Sequence, residues 1–411
     1  MAMLVVMLFL AGGRPFVLGL SSIDPDPTLF PIASRAGAKI YLVALPWRLV
    51  EPEAMDLKGL TIKEALKDKR ALRAYSEGVD WTEADKLILT ALKEGLKPIV
   101  GVGWGWTDMV PRWEEGVFCP DYVGHERYKA HFALHVRAVV ERYDGDGFLD
   151  APGGLVVRRW LPERALNEAI VEAALGKREP STFSAPYSVW MYWDFLDELL
   201  RLGATAVREA SKEAEVGILI QTDVPRSVSA YVGKPTWEGA LEVWASEADF
   251  VVIETFPNAW LPEPLKTERI AEKVKKAEKI VKGKPIFVLT GYPSGPEELG
   301  YTEELQARFL REAVKAAREA GAEALLWHTV RSKDEASIKP APKDVQDLKD
   351  IGRFIEAGDI FTIVNMAISE PQRMERFLSI VKTVEDFAGL LRADGSAKPA
   401  WAVFSEMAQS S

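Results

Sequence analysis

The chain has 411 residues, of which 48% are hydrophobic and 27% are charged. This composition supports a large packed core and excludes a disordered protein, while the length allows several ordinary domains or one large α/β barrel. The formal net charge of −10 argues against nucleic acid or an anionic membrane surface as a partner. One cysteine excludes an internal disulfide, and four histidines argue against a multi-histidine metal site.

An apolar, uncharged segment opens the chain at residues 1–13. It is too short to span a bilayer, which takes about 20 residues. Its length is typical of the apolar region of a signal peptide, although no basic residue precedes it, and a buried strand or a plug under a barrel is the alternative. We therefore expect a secreted or cell-surface protein if residues 1–13 are a signal remnant, and a cytoplasmic one otherwise. No other segment of the sequence predicts a transmembrane span.

Short apolar runs then alternate with amphipathic segments of helical length. The predicted strands are Phe16–Leu20, Ile40–Leu45, Pro98–Val102, Leu155–Val157, Val216–Ile220, Phe250–Ile253, Ile286–Leu289 and Ala324–Trp327. The predicted helices include Thr82–Glu94, Arg127–Tyr143, Phe195–Glu213, Glu268–Val281 and Thr302–Ala320. Apolar strands separated by helices are typical of parallel strands buried on both faces. The pattern predicts an α/β fold, a single (β/α)8 TIM barrel over residues 14–411.

Two connections are longer than such a barrel needs. One follows the fourth strand, over residues 161–190, and the other follows the eighth, over residues 331–385 with a predicted helix near Asp344–Ala357. Loops after barrel strands lie on the catalytic face, so both are expected to shape a site there.

Tryptophan is unusually frequent, with 13 residues, whereas only five Gln and three Asn occur. Scarce thermolabile amides beside many charged residues suggest a thermophilic source. Several tryptophans fall at or just after predicted strand ends, where they could stack on sugar rings, although an aromatic core is the alternative. These are Trp104, Trp106, Trp160, Trp260 and Trp327.

Two acidic residues end otherwise apolar strands. Glu254 closes the sixth strand and Asp223 closes the fifth, so each is expected to face the barrel mouth or to pair with a basic neighbour. One interpretation is a site role, catalytic for Glu254 and substrate-binding or catalytic for Asp223, and structural pairing with Arg159 or Arg226 is the other.

The spacing of Asp144, Asp146 and Asp150 around two glycines suggests a structural calcium site. The segment lacks the bidentate glutamate of a full EF-hand loop, and acidic turns usually occur without a metal. No cofactor is expected to be required.

Several segments, taken in order, carry a family resemblance. They are Trp47-Arg48-Leu49-Val50-Glu51-Pro52, Val79-Asp80-Trp81, Glu141-Arg142-Tyr143, Asn167-Glu168, Lys284-Pro285 with Thr290-Gly291-Tyr292-Pro293, Trp327, and Lys398-Pro399-Ala400-Trp401. Together they resemble the clan A glycoside hydrolases, in particular the β-galactosidase and endo-β-galactanase-like members. The resemblance covers residues 16 to 405 and implies a TIM barrel that acts on carbohydrate.

The resemblance also implies site residues. Glu168, next to Asn167, corresponds to the acid/base glutamate after strand four, although a place on the surface of the following helix is the alternative. The nucleophile position at the end of strand seven corresponds to Leu289, whose side chain cannot attack a sugar. Tyr292 and His328 are expected to line the same pocket.

Two functions therefore compete. One is a hydrolase in which Glu254 or Asp223 supplies the second carboxylate, with an inverting mechanism if it stands about 6.5–9.5 Å from Glu168. The other is a catalytically degenerate barrel that binds a glycan or serves as a scaffold. A metal-dependent hydrolase is disfavoured because histidines are scarce.

Overall fold

A computed structural model describes most of the chain. The described residues are 16–22, 26–45, 47–51, 55, 57, 59–102, 126–144, 154–158, 186–223, 236–259, 261–333, 340–357 and 359–410. The apolar segment 1–13 and most of the predicted connection after strand four lie outside these ranges.

Parallel strands form a single closed sheet. The strands are β1 Val17–Ser22, β2 Ile40–Leu45, β3 Lys97–Val102, β4 Gly154–Arg158, β5 Glu215–Gln221, β6 Phe250–Glu254, β7 Ile286–Thr290 and β8 Ala324–His328. Each strand pairs in parallel with the next one along the chain, and β1 also pairs with β8. The predicted α/β class with a curved parallel sheet is confirmed.

Helices separate the strands along the chain. They are α1 Phe30–Arg35, α2 Trp47–Val50, α3 Ile62–Lys67, α4 Lys69–Gly78, α5 Thr82–Lys93, α6 Glu126–Asp144, α7 Pro186–Ala210, α8 Trp237–Trp244, α9 Glu268–Val281, α10 Glu303–Glu319, α11 Pro342–Ala357, α12 Ile360–Ser369, α13 Pro371–Glu385 and α14 Pro399–Gln409. The described part of the connection after β8 carries three helices, whereas the sequence predicts one near Asp344–Ala357. None of these described helices is both long and apolar enough to cross a bilayer.

Local sequence explains where several helices begin. Thr302 accepts a hydrogen bond from the backbone N–H of Leu305 and caps α10, and Thr236 caps α8 in the same way. Thr61 and Glu64 form a reciprocal capping box at the start of α3. Such side chains satisfy backbone N–H groups that have no partner in the first helical turn.

Strand residues alternate between two apolar layers. One cluster contains strand residues only and fills the barrel interior: Ile40, Leu42, Ile99, Leu219, Phe250, Val252, Leu289, Ala324 and Leu326. The intervening strand residues belong to larger clusters that also contain helix residues. Because side chains along a strand alternate between faces, a residue two positions after an interior residue also faces the interior. This alternation shows which polar residues at the strand ends face the barrel interior.

Candidate functional site at the carboxyl ends of the strands

Glu254 is the carboxylate that the sheet places at the interior end of β6. It follows the interior residue Val252 by two positions, and it is only 2% exposed. Its backbone carbonyl accepts hydrogen bonds from the N–H and the hydroxyl of Thr222, each at 2.9 Å. In the sheet register Glu254 lies beside Gln221 of β5 and Leu289 of β7. An ionisable group is therefore held at the barrel end that forms the active site in TIM-barrel enzymes.

His328 ends β8 and shares the interior face with Leu326. Its Nδ1 lies 3.3 Å from the hydroxyl of Ser21, the interior-facing residue near the end of β1. The ring of Phe256, just beyond β6, meets the imidazole edge to face at 6.2 Å between centroids. A Cβ at Gly291 would lie 2.2 Å from the carbonyl oxygen of His328, so this glycine permits the close approach of the chain after β7 to β8.

Asp223 lies two residues after β5 and is already engaged. Its carboxylate accepts hydrogen bonds from the backbone N–H of Phe256 and from the Thr255 hydroxyl, and it pairs with the ammonium of Lys273 on α9. The sequence proposed Arg159 or Arg226 as a basic partner, and both lie outside the described residues. The structure supplies Lys273, a helix residue that no strand-end pattern could have indicated.

Two predicted sugar contacts do not fit their positions. Trp327 and Tyr292 have no exposed surface and belong to the layer between the sheet and the helices. The indole N–H of Trp327 donates to the carbonyl of Ala388 at 3.2 Å, and the Tyr292 hydroxyl donates to the carbonyl of Pro262 at 2.9 Å. Burial raises the pKa of Tyr292 above its ordinary value. Both predictions are corrected, because these rings are packed in the core and cannot stack on a ligand.

The remaining predicted site residues fall outside the described part of the chain. They are Glu168, Asn167, Trp104, Trp106, Trp160, Trp260, Asp146 and Asp150. Asp144 is the last residue of α6, and β4 is the next described element along the chain. Among the described residues no group of three histidine, cysteine or acidic side chains is arranged to hold a metal ion.

The sequence did not predict one buried polar cluster, which is formed by residues of α2, α4 and α6 and by the residue that follows α2. We call it the Glu51 cluster: Trp47, Glu51, Tyr75, His131 and His135. One carboxylate oxygen of Glu51 accepts from the Trp47 indole at 2.9 Å, from the Tyr75 hydroxyl at 2.8 Å and from Nε2 of His131 at 2.8 Å. The other oxygen accepts from the N–H of Met55 at 3.0 Å. Each side chain of the cluster is at most 2% exposed.

Burial and hydrogen bonding act in opposite directions on Glu51. Burial alone would raise its pKa, but the hydrogen bond and charge of His131, with the donors of Met55 and Tyr75, bring the pKa below its ordinary value. Burial, reinforced by the charge of Glu51, raises the pKa of Tyr75 well above 10. Burial lowers the pKa of His135 to about 3. The cluster therefore holds an ionised carboxylate beside a neutral histidine.

Two signals in the sequence could have indicated this cluster. Glu51 belongs to the segment Trp47–Pro52, and His131 and His135 are four residues apart on one predicted helix, which places them on the same face. The stacking of the Trp47 ring on His135, with centroids 5.0 Å apart, is a tertiary contact that the sequence does not show.

No protein-family model matches the chain, and no curated protein matches it. Similar folds occur among solved structures. A GH5_18 protein from Bifidobacterium longum subsp. longum, in complex with Manβ1-4GlcNAc, is 14% identical with a TM-score of 0.57, covering 96% of this chain and 78% of that one. An exo-β-1,4-mannosidase from Opitutaceae bacterium strain TAV5 is 15% identical with a TM-score of 0.54, covering 97% of this chain and 60% of that one. A β-glucosidase is 15% identical with a TM-score of 0.55, covering 93% and 87%. At these identities the likeness shows the fold alone, which is similar to the barrel of these glycoside hydrolases.

Proposed function

We propose that this protein is a carbohydrate-active barrel related in fold to glycoside hydrolases, and that it hydrolyses an oligo- or polysaccharide. The observation that carries the proposal is Glu254, a carboxylate that is 2% exposed on the interior face at the carboxyl end of β6. A buried carboxylate at the catalytic end of a TIM barrel is a candidate for acid/base chemistry. The similar fold of the solved glycoside hydrolases and the family resemblance of the strand-end segments both support a sugar as the ligand.

The proposed chemistry uses two carboxyl groups. Glu168, predicted after β4, would protonate the leaving oxygen, and Glu254 would activate a water molecule on the opposite face of the sugar. Leu289 lies in the apolar barrel interior and is 1% exposed, so the position that resembles the usual nucleophile offers no carboxylate. An inverting reaction is therefore proposed, with the two carboxyl groups about 6.5–9.5 Å apart.

The proposed sugar contacts are those left after the two corrections, apart from Asp223, whose carboxylate is held by Lys273 and by the segment after β6. Trp104, Trp106, Trp160 and Trp260 would stack on sugar rings, and Asn167 would hydrogen-bond to hydroxyl groups. His328 would do the same, since it lies on the interior face at the carboxyl end of β8. No cofactor is required for this chemistry, and the calcium loop at Asp144, Asp146 and Asp150 stays a separate structural proposal.

The test is turnover of a panel of aryl glycosides and polysaccharides at elevated temperature, because a thermophilic source is proposed. Glu254→Gln and Glu168→Gln should each lower kcat at least 100-fold, the scale expected for the loss of a general acid or base. Glu319→Gln is the matched control, since this glutamate on α10 is 67% exposed and should leave turnover unchanged. Full turnover in Glu254→Gln would remove this residue from the mechanism.

A catalytically degenerate, glycan-binding barrel is the alternative, and the leucine at position 289 is the observation that favours it. In that case the wild-type protein would release no sugar or aryl group. Measurable binding of the same glycans, weakened by Trp260→Ala, would then support the alternative. If the wild-type protein neither hydrolyses nor binds any member of the panel, both forms of the proposal fail.

A further inference from the structure

The carboxylate of Asp223 reaches from the end of β5 to the segment that follows β6. One of its oxygens accepts from the backbone N–H of Phe256 at 2.5 Å, and the other accepts from the hydroxyl of Thr255 at 3.1 Å. The ammonium of Lys273 pairs with Asp223 and also donates to the Thr255 hydroxyl at 2.8 Å. Three donors, one of them a cation, therefore converge on this carboxylate.

Phe256 contacts both Asp223 and His328. The backbone of Phe256 is held by Asp223, while its half-buried ring packs against the imidazole. On another side of the imidazole, Ser21 lies within hydrogen-bond distance of Nδ1. The imidazole is thus held between a hydroxyl on β1 and a ring whose backbone is fixed by an ion-paired carboxylate. Such supporting contacts decide whether a site residue keeps its productive geometry.

We propose that Asp223 and Lys273 form a positioning pair, which fixes Phe256 and through it the imidazole of His328, and that Asp223 does not itself contact carbohydrate. The inference rests on the proposed function only in taking His328 as a substrate contact. It separates the two strand-end carboxylates. Glu254 is 2% exposed on the interior face, whereas the side chain of Asp223 keeps 24% exposure and is directed toward α9 and the chain after β6.

The first test follows His328 directly, with no ligand present. In protein labelled with ¹³C-histidine, the four imidazole signals are recorded, and His328→Gln identifies the signal of that residue. Asp223→Ala should displace the His328 signal. Asp249→Ala is the matched control, because Asp249 also binds a backbone N–H, that of Val216 at 2.8 Å, but at the opposite ends of β5 and β6. The control should leave the His328 signal in place.

Two milder variants keep the test decisive if Asp223→Ala fails to fold. Lys273→Met removes the cation and Thr255→Val removes one hydroxyl, while the hydrogen bond from Phe256 to Asp223 can remain. Each should displace the His328 signal in the same direction as Asp223→Ala. An unchanged His328 signal in these folded variants would overturn the inference, as would an equal displacement in Asp249→Ala.

The second test uses kinetics to separate positioning from catalysis. With any glycoside that the wild-type protein hydrolyses, Asp223→Ala should raise KM roughly tenfold with kcat nearly unchanged, because a misplaced binding group weakens ground-state and transition-state binding alike. A collapse of kcat at constant KM would make Asp223 a catalytic residue and overturn the inference. If the wild-type protein hydrolyses nothing, the hydrolase proposal fails, and the His328 signal alone decides the positioning role.

Discussion

Acid should destabilise this protein through a single buried histidine. In the Glu51 cluster the Tyr75 hydroxyl donates to Glu51, so the proton in the 3.0 Å contact between Tyr75 and His135 belongs to Nδ1 of the histidine. A second proton would have to sit on Nε2, which is buried and has no hydrogen-bond partner within the described chain. Protonation is therefore strongly disfavoured in the folded state and unhindered in the unfolded state.

The size of the effect follows from the two pKa values. Burial lowers the pKa of His135 from 6.5 to about 3 in the folded protein. Between these values the unfolded chain binds one more proton than the folded chain, so stability falls as the pH drops below 6.5. Each pH unit costs about 1.4 kcal/mol, which amounts to about 2 kcal/mol between pH 7 and pH 5. The lowered pKa of Glu51 acts in the same direction, but only below about pH 4.5.

Urea denaturation at pH 7, 6 and 5 measures this contribution. His135→Phe keeps an aromatic ring beside Trp47 and removes the titration, so its free energy of unfolding should fall about 2 kcal/mol less than that of the wild-type protein over this range. His328→Gln is the control, because it retains His135 and should keep the wild-type pH dependence. Equal pH slopes for the wild-type protein and His135→Phe would refute the assignment of acid sensitivity to His135.

Three further predictions concern single contacts. Glu51→Gln places an amide NH₂ among groups that donate hydrogen bonds. Breaking the buried pair of Glu51 and His131 should lower the free energy of unfolding at pH 7 by about 3 kcal/mol. An unchanged urea midpoint would contradict the hydrogen-bond assignment. Gly291→Ala places a Cβ 2.2 Å from the carbonyl oxygen of His328. We therefore expect the free energy of unfolding, measured by thermal denaturation, to fall by about 1–3 kcal/mol. A variant as stable as the wild-type protein would mean that the chain after β7 lies further from β8. Asn258→Ala removes the amide that donates to the carbonyls of Leu261 and Pro264, each at 2.9 Å. The backbone N–H of Lys266 donates to the same side chain, so its hydrogen exchange should become at least tenfold faster. Unchanged protection of this N–H would show that other contacts hold the loop.

The strands could be predicted because each contains an uninterrupted run of apolar residues. A strand covered on both faces needs no alternation, so a short apolar run between helical segments is sufficient evidence, and the predicted run Ile40–Leu45 matches β2 residue for residue. The helix Glu268–Val281 was likewise predicted with its observed bounds, because its apolar residues recur at the helical period.

The direction of individual strand-end side chains was harder to predict. Trp327 and His328 are adjacent, and a shift of one residue exchanges the interior and exterior faces. The structure places His328 at the interior and Trp327 against Phe309 on α10, a choice that depends on packing between distant elements. The hydrogen bond between Glu51 and His131 joins residues 80 positions apart, so local pattern could not have revealed it.

The pairing of β1 with β8 has a consequence for how the protein is made. In the sheet, Leu18 pairs with Leu325 and Leu20 pairs with Trp327. During translation, about 300 residues are therefore synthesised after β1 before its second partner strand, β8, is present. Until then the nascent sheet has two open edges with unsatisfied backbone groups, a state that favours association between chains. A chain that stops before β8 would retain both edges permanently. Productive folding of this barrel is therefore decided late in translation, when its two terminal strands meet.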